Sequence, residues 1–98
     1  MDRATIIAQL KRHEAELRSR GVRRIALFGS TARGQAGPDS DIDLMVDLDS
    51  SVPVGVFEYV SLVQYLEDLF PNHVDVANHD RMKPLVRPAA ERDAIYAF

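Results

Sequence analysis

The chain is short and mildly acidic: it has 98 residues, a formal net charge of −3 and no cysteine. Its length predicts one domain over residues 1–98, and the missing cysteine excludes disulfides and thiol chemistry, which suits the reducing cytoplasm in which we expect the protein. No apolar run approaches the roughly 20 residues that span a bilayer, and the negative charge argues against direct binding of a nucleic-acid backbone, so we expect neither a membrane nor a nucleic acid as partner.

The first part of the chain predicts a helix followed by a strand. Apolar residues recur at helical spacing over residues 4–19, and Gly21 is a typical residue to end that helix. Residues 23–28 then predict a first strand, in which Ile25 and Leu27 point to one face. We therefore expect a long helix and a first strand before the first glycine-rich turn.

A short polar segment separates this strand from a second one. Ser30 is a good N-cap for a helical turn over residues 31–34, and the composition of residues 35–40 predicts a further turn. Residues 41–48 predict the second strand, and its close spacing to the first favours antiparallel pairing. The polar residues 47–53, which overlap the end of this strand, predict a loop, and we expect Asp39, Asp47 and Asp49 to be solvated in the turns and loops.

The second half alternates between helices and strands. It predicts a helix over residues 54–70, a strand over residues 73–77, a polar connection over residues 78–83, a helix over residues 84–92 and a strand or apolar tail over residues 94–98. The apolar stripe expected to bury the long helix contains Phe57, Val60, Val63, Leu66 and Phe70, with Val56, Leu62 and Leu69 beside it. Together these elements predict an α/β (α+β) fold, a small mixed sheet with helices packed on one face.

Two aspartates stand two residues apart at the start of the second strand. Because successive side chains of a strand point to opposite faces, Asp41 and Asp43 share one face and Ile42 lies on the other. Carboxylates this close repel each other unless a cation lies between them, and Mg²⁺ takes carboxylate and phosphate oxygens. Gly29 and Ser30, just upstream, form a turn whose backbone can approach a phosphate closely. The stretch therefore predicts a phosphate-binding turn beside a metal-binding strand.

Asp75 is the third candidate carboxylate. If Val74 and Val76 face the helices, Asp75 lies on the opposite face of the sheet, where Asp41 and Asp43 are also expected. A sheet covered by helices on one face and open on the other would display all three. Three carboxylates around two metal ions are the arrangement that a two-metal phosphoryl transfer needs.

The turn and the paired aspartates together resemble a known signature. Its parts in this chain are Gly29-Ser30, Arg33-Gly34 and Ser40-Asp41-Ile42-Asp43. This combination resembles the motif of the DNA polymerase β-type nucleotidyltransferase superfamily, and most closely that of its minimal, stand-alone branch, the MNT or MntA-like proteins, which are antitoxin partners of HEPN-domain toxins. The resemblance covers nearly the whole chain and implies the nucleotidyltransferase fold.

The resemblance also implies roles for six residues. The catalytic and metal-binding carboxylates would be Asp41, Asp43 and Asp75. The residues that hold the triphosphate would be Gly29, Ser30 and Arg33. The substrate would be ATP with two Mg²⁺ ions, and Asp75 would also accept the proton of the attacking hydroxyl.

The acceptor implied by the resemblance is a protein. In MNT and HEPN pairs, the antitoxin adenylylates (AMPylates) a tyrosine hydroxyl of the HEPN toxin, a ribonuclease, and silences it. We therefore expect this chain to be a protein adenylyltransferase and an antitoxin, in a hetero-oligomer with a HEPN-domain toxin.

Three other functions stay open on the sequence alone. The protein could occlude a toxin without turnover, and nucleotide binding with Mg²⁺ but no transfer would favour this. It could modify a small molecule such as an antibiotic, for which it would need a dimer to build an acceptor pocket; activity without a protein partner would favour this. A purely structural domain would make the Gly-Ser turn and the paired aspartates coincidental, and unchanged thermal stability with ATP and Mg²⁺ would favour it.

Overall fold

The computed structural model describes residues 1–35, 37 and 39–98 of the chain. Its elements, in chain order, are α1 (Arg3–Arg12), α2 (Glu14–Ser19), β1 (Val22–Leu27), α3 (Gly29–Arg33), β2 (Ile42–Leu48), α4 (Val56–Asp68), β3 (Val74–Asn78), a 3₁₀ helix (His79–Arg81), α5 (Arg87–Asp93) and β4 (Ile95–Tyr96). The turn predicted over residues 35–40 includes residues 36 and 38, which lie outside the described residues. Within the described part of the chain, no helix is both long and apolar enough to cross a membrane.

The four strands form one mixed sheet in the order β3-β2-β1-β4. β1 pairs antiparallel with β2 and with β4, so the predicted antiparallel pairing of the first two strands is confirmed. β3 pairs parallel with β2. Parallel neighbours need a long crossover connection, and α4 supplies it between these two strands.

Helices α1, α2 and α4 pack against one face of the sheet. Side chains from that face, such as Ile25, Leu27 and Leu44, form one buried cluster with helical residues such as Leu10 and Leu62. All five are fully buried. Burying a side chain of this size contributes about 1.5–3 kcal/mol, so this layer supplies the main hydrophobic stabilisation of the fold.

The opposite face of the sheet is covered in part. Ala26 and Met45 point to that face and pack with Ala90 of α5, and Phe28 and Tyr96 are half-buried against the same cluster. The face was expected to be open, and α5 fills part of it. The small side chain of Ala90 suits the close approach of a helix to a sheet.

The helix predicted over residues 4–19 is two helices, α1 and α2, which meet at His13. The backbone N–H of His13 donates to the carbonyl of Leu10 at 3.1 Å, a tighter turn than that of an α-helix. The His13 ring nitrogen Nδ1 lies 2.8 Å from the hydroxyl of Tyr65 on α4. The break thus coincides with a tertiary contact, which hydrophobic periodicity does not report.

Helix α4 exposes part of the stripe that was predicted to be core. Leu62 and Leu66 are buried as expected. Three other residues of the stripe are exposed, so the prediction for them is wrong: Val56 (77%), Phe57 (86%) and Val60 (50%). An open groove of about 520 Å³ lies beside the start of α4, and residues that line it include Leu48, Val54, Tyr59, Ala77 and Met82. Periodicity identifies an apolar helix face but does not show how much of that face the rest of the chain covers.

Asp47 lies in β2, within the predicted strand, but it is buried and not solvated, so the prediction of solvation is wrong. Its side chain is buried, and its carboxylate lies 2.6 Å from Nδ1 of His79. Nε2 of His79 lies 2.9 Å from the carboxylate of Glu91 on α5, and Nε of Arg87 lies 3.4 Å from that same carboxylate. A buried carboxylate needs such a partner, and this chain of contacts fastens α5 to the sheet.

We expect the fold to lose stability as the pH rises through the pKa of His79. Burial opposes the charge on His79, but the hydrogen bonds to Asp47 and Glu91 outweigh that effect and hold the pKa above its ordinary value of 6.5. Because the pKa is higher in the folded than in the unfolded chain, the stabilisation is complete below the unfolded value and is lost above the folded one. Urea unfolding from about pH 6 to about pH 9 should show this fall in the wild type and not in His79→Gln; an equal fall in both proteins would contradict it.

Candidate active site

The parallel pairing of β2 and β3 brings two of the predicted carboxylates together. Asp43 lies directly beside Asp75 in the register, and neighbouring strands are about 4.8 Å apart. Ile42 and Val74, one residue earlier in each strand, are buried on the helical face. Alternation therefore directs Asp43 and Asp75 to the opposite face, as the sequence predicts.

Asp41 stands just before β2 and is exposed. Its carboxylate, the carboxylate of Asp75 and the ring of His73 each offer one donor atom, and these atoms lie within 4.8 Å of one another. Asp43 is not a member of this cluster. The structure therefore groups Asp41 and Asp75 with a histidine that the sequence analysis did not select, and it places Asp43 alongside them.

The surroundings of the half-buried Asp43 disfavour its ionised form. Burial raises the pKa of Asp43 above the usual range, and the charges of Asp75 and Asp41 raise it further, while Arg33 acts in the opposite direction. The ionised form of Asp43 is thus disfavoured by burial first and by the two neighbouring carboxylates second, and a bound cation would offset both effects.

Gly29 lies against this carboxylate. Its φ of +60° falls in the left-handed region that favours glycine. A Cβ at this position would lie 3.0 Å from Oδ2 of Asp43, closer than side chains normally approach. Gly29 therefore meets two requirements at once, the sharp turn after β1 and the close approach of the backbone to the site.

Helix α3 begins earlier than predicted. Its first residue is Gly29 and its N-cap is Phe28, which makes no side-chain capping bond. The prediction that Ser30 caps a helix starting at Thr31 is therefore wrong, because the turn begins as soon as Gly29 takes its positive φ. Ser30 lies instead in the first turn, where backbone N–H groups have no partner within the helix.

Thr31 is a positioning residue that the sequence analysis missed. It is buried, and its hydroxyl donates to the carbonyl of Asp41 at 3.3 Å and accepts from the N–H of Asp43 at 3.1 Å. It thereby ties the turn at α3 to the start of β2. The position of this threonine directly after Gly-Ser could have indicated a role in the turn, but the sequence does not show that its side chain is buried.

Arg33 is held by two side chains. Its Nη1 lies 2.6 Å from the carboxylate of Asp93 on α5, and its Nε donates to the side-chain oxygen of Gln35 at 3.0 Å. A guanidinium has five N–H donors, so these two contacts leave donors for a further anion.

The residues present fit magnesium. Asp41, Asp43 and Asp75 offer carboxylate oxygens, which are the ligands that Mg²⁺ takes together with substrate phosphates. Burial and the charges of Asp75 and Asp41 raise the pKa of Asp43, and Arg33 acts against them. A bound cation would favour the ionised form of this carboxyl.

Comparison with known proteins identifies the family. Residues 10–97 match the family profile described as nucleotidyltransferase domain. The chain belongs to this family. It is thus an enzyme of the nucleotidyltransferase class. The chain is 38% identical over 88 residues to the protein adenylyltransferase MntA of Thermococcus cleftensis, and the aligned region covers 89% of this chain and 87% of that protein.

Solved structures share the nucleotidyltransferase fold, which confirms the fold prediction. A structure described as a candidate minimal nucleotidyltransferase has a TM-score of 0.79 and 32% identity, over 97% of this chain and 95% of that chain. A chain of the complex between the tri-AMPylated HEPN toxin of Shewanella oneidensis and its MNT antitoxin has a TM-score of 0.64 and 17% identity, over 94% of this chain and 71% of that chain. At that identity, the second likeness supports the fold alone.

We expect Thr31→Val to destabilise this nucleotidyltransferase by about 1–3 kcal/mol, because it leaves the N–H of Asp43 without its buried partner. Valine keeps the shape of threonine but lacks the hydroxyl. Thr31→Ser keeps the hydroxyl and should lose less of the free energy of unfolding in urea. Equal losses in both variants would show that the methyl group, and not the hydrogen bonds, is what matters at this position.

We expect Asp43→Asn to raise the melting temperature in EDTA, because it removes a charge that burial, Asp75 and Asp41 all oppose. Added Mg²⁺ should raise the melting temperature of the wild type more than that of the variant, since a ligand stabilises the state that binds it. Thermal unfolding with and without Mg²⁺ measures both effects. A variant that melts below the wild type in EDTA would contradict the prediction.

Proposed function

We propose that this nucleotidyltransferase transfers AMP from ATP, with Mg²⁺, to a tyrosine hydroxyl of a HEPN-type toxin, and that it is the antitoxin of that toxin in the cytoplasm. Residues 1–98 would act as one minimal domain. The observation that carries the proposal is the pairing of Asp43 with Asp75 beside Gly29. The relative named as a protein adenylyltransferase supports AMP as the transferred group and a protein as the acceptor. The AMPylated HEPN toxin in complex with an MNT antitoxin, whose likeness to this chain is one of fold, is the precedent for the choice of a HEPN-type acceptor.

The proposed reaction is an in-line substitution at the α-phosphorus of ATP. A bond forms between the acceptor oxygen and the α-phosphorus, the bond from the α-phosphorus to the bridging oxygen of the β-phosphate breaks, and pyrophosphate leaves. The proton of the acceptor hydroxyl passes to a base. When bound, two Mg²⁺ ions would neutralise the triphosphate and lower the pKa of the acceptor hydroxyl.

Asp41, Asp43 and Asp75 would hold those ions. Asp43 is half-buried beside Gly29 and so lies on the side where the phosphates are proposed to bind. The side chain of Asp75 is 55% exposed, which leaves it open to a hydroxyl on another protein. Asp75 is therefore the proposed acceptor of the proton.

Gly29, Ser30 and Arg33 would bind the triphosphate. The first N–H groups of α3 have no partner within the helix and suit phosphate oxygens. The missing side chain of Gly29 lets the phosphates approach. Arg33, held at 2.6 Å by Asp93, would present its remaining N–H groups as a charged fork.

Exposed apolar side chains support a protein partner. Val56 and Phe57 on α4 are 77% and 86% exposed, and Leu85 is 96% exposed. Val56 and Phe57 are neighbours at the start of one helix, and exposed apolar side chains grouped in this way mark protein contacts. We propose that the toxin covers the start of α4 in a hetero-oligomer and supplies the surroundings of the acceptor hydroxyl.

We expect label from α-labelled ATP to appear on a purified HEPN-domain toxin of the same organism when this protein and Mg²⁺ are added. Asp43→Asn should lower the initial rate by about 10²–10³-fold, because a charge that acts in the transition state is lost. Asp39→Asn is the matched control: it makes the same change in an exposed turn just before the site and should keep the wild-type rate. Mass spectrometry of the labelled toxin should find AMP on tyrosine.

Other outcomes would contradict parts of the proposal. A toxin that is silenced equally by the wild type and by Asp43→Asn would show occlusion and not transfer. Label on a small hydroxylated compound without any toxin would keep the enzyme and remove the protein acceptor. Label on another residue type would correct the acceptor.

A further inference from the structure

A histidine stands among the carboxylates of the site. His73 directly precedes β3, two residues before Asp75, so both side chains point to the same face. Its Nε2 lies 2.9 Å from Oδ1 of Asp75, and the two side chains are 60% and 55% exposed. A donor oxygen of Asp41 completes the cluster within 4.8 Å.

The backbone around His73 is fixed to the segment that carries Asp41. The carbonyl of His73 accepts from the N–H of Ile42 at 2.9 Å. Nδ2 of Asn72 donates to the carbonyl of Ser40 at 3.0 Å. These two bonds bracket Asp41 in the sequence, so the strand pairing that aligns the carboxylates also sets the position of the ring.

The distance between His73 and Asp75 matches that between two ligands of one ion. Two donors about 2.1 Å from a metal and at a right angle to each other are about 3.0 Å apart. The observed 2.9 Å agrees with neighbouring positions of an octahedral ion, whereas tetrahedral ligands would be about 3.4 Å apart. A hydrogen bond alone gives the same distance, so the test has to separate the two cases.

We infer that Asp41, His73 and Asp75 form a metal site with one imidazole donor, which takes a divalent ion such as cobalt, nickel or zinc more tightly than magnesium. Carboxylates alone suit magnesium, whereas imidazole suits the later transition metals, and affinity rises towards that end of the series. The inference rests on the proposed function in one respect: it adds the imidazole of His73 to the carboxylates that are proposed there to hold the ions.

The probe is Co²⁺, titrated calorimetrically into the protein without nucleotide or toxin. His73→Ala should lower the affinity for Co²⁺ at least about tenfold and the affinity for Mg²⁺ much less. His13→Ala, which removes a ring from the helical layer, is the matched control and should bind both ions as the wild type does. The visible absorption of bound Co²⁺, which depends on its donors, should change in His73→Ala alone.

A second variant separates a ligand from a hydrogen-bond partner. His73→Gln still has a side chain that donates to Asp75 but has no imidazole nitrogen, so it should resemble His73→Ala. Full recovery of wild-type Co²⁺ affinity and absorption in His73→Gln would show that the residue only positions Asp75, and would overturn the inference. Unchanged Co²⁺ affinity in His73→Ala would overturn it as well.

Failure of this inference can be told from failure of the proposed function. The titration uses neither ATP nor toxin, and the decisive variant of the transfer assay is Asp43→Asn. Transfer that depends on Asp43, together with Co²⁺ binding that is indifferent to His73, would remove the inference alone. Co²⁺ binding that depends on His73, without any transfer, would uphold the metal site and remove the proposed function.

Discussion

The parallel pairing of β2 with β3 is the constraint on which the site depends. The register sets Asp43 beside Asp75, while Ile42 and Val74, one residue earlier, are buried in the helical layer. The two aspartates repel each other, yet they cannot separate without moving their apolar neighbours. A slip of one residue in either strand would turn its aspartate into the core and its apolar residues into water. Hydrophobic burial on one face therefore holds together a destabilising cluster of charges on the other face. Active sites commonly lower the stability of a protein in this way, and the rest of the fold compensates.

Much of this arrangement was predictable because the side chains of a strand alternate between the two faces of the sheet with a period of two residues. Alternation placed Asp43 and Asp75 on one face, and Gly29 was identifiable because a turn and a close approach both call for glycine. His73 and Thr31 were missed for another reason: their roles depend on distances between segments that are remote in sequence. Asp47 was expected to be solvated because aspartate usually is, and only its contact with His79, which is remote in the sequence, explains its burial. Such pairings are set by tertiary contacts and leave no local pattern.

Helix α5 lies on the face of the sheet opposite the helical layer and connects the two ends of that face. Glu91 near its middle contacts His79, which is fixed to the sheet through Asp47, and Asp93 at its end holds Arg33 at the rim of the site. The contacts form a continuous series from the far end of β2 to the turn at α3. Arg33 therefore depends for its position on a helix that is held to the sheet both by these charged and hydrogen-bonded groups and by the packing of Ala90.

The site is asymmetric, and this asymmetry bears on the acceptor. Asp43 is half-buried against Gly29, whereas Asp75 is more than half exposed. Charges surrounded by water act weakly, because the effective dielectric constant there is high. In the proposed reaction, a small acceptor would leave Asp75 in water, while a docked protein would both deliver a hydroxyl and exclude solvent from the exposed side. The exposed apolar residues at the start of α4 offer a surface for such docking. A complete, low-dielectric site would then exist only in the complex, which couples recognition of the partner to catalysis.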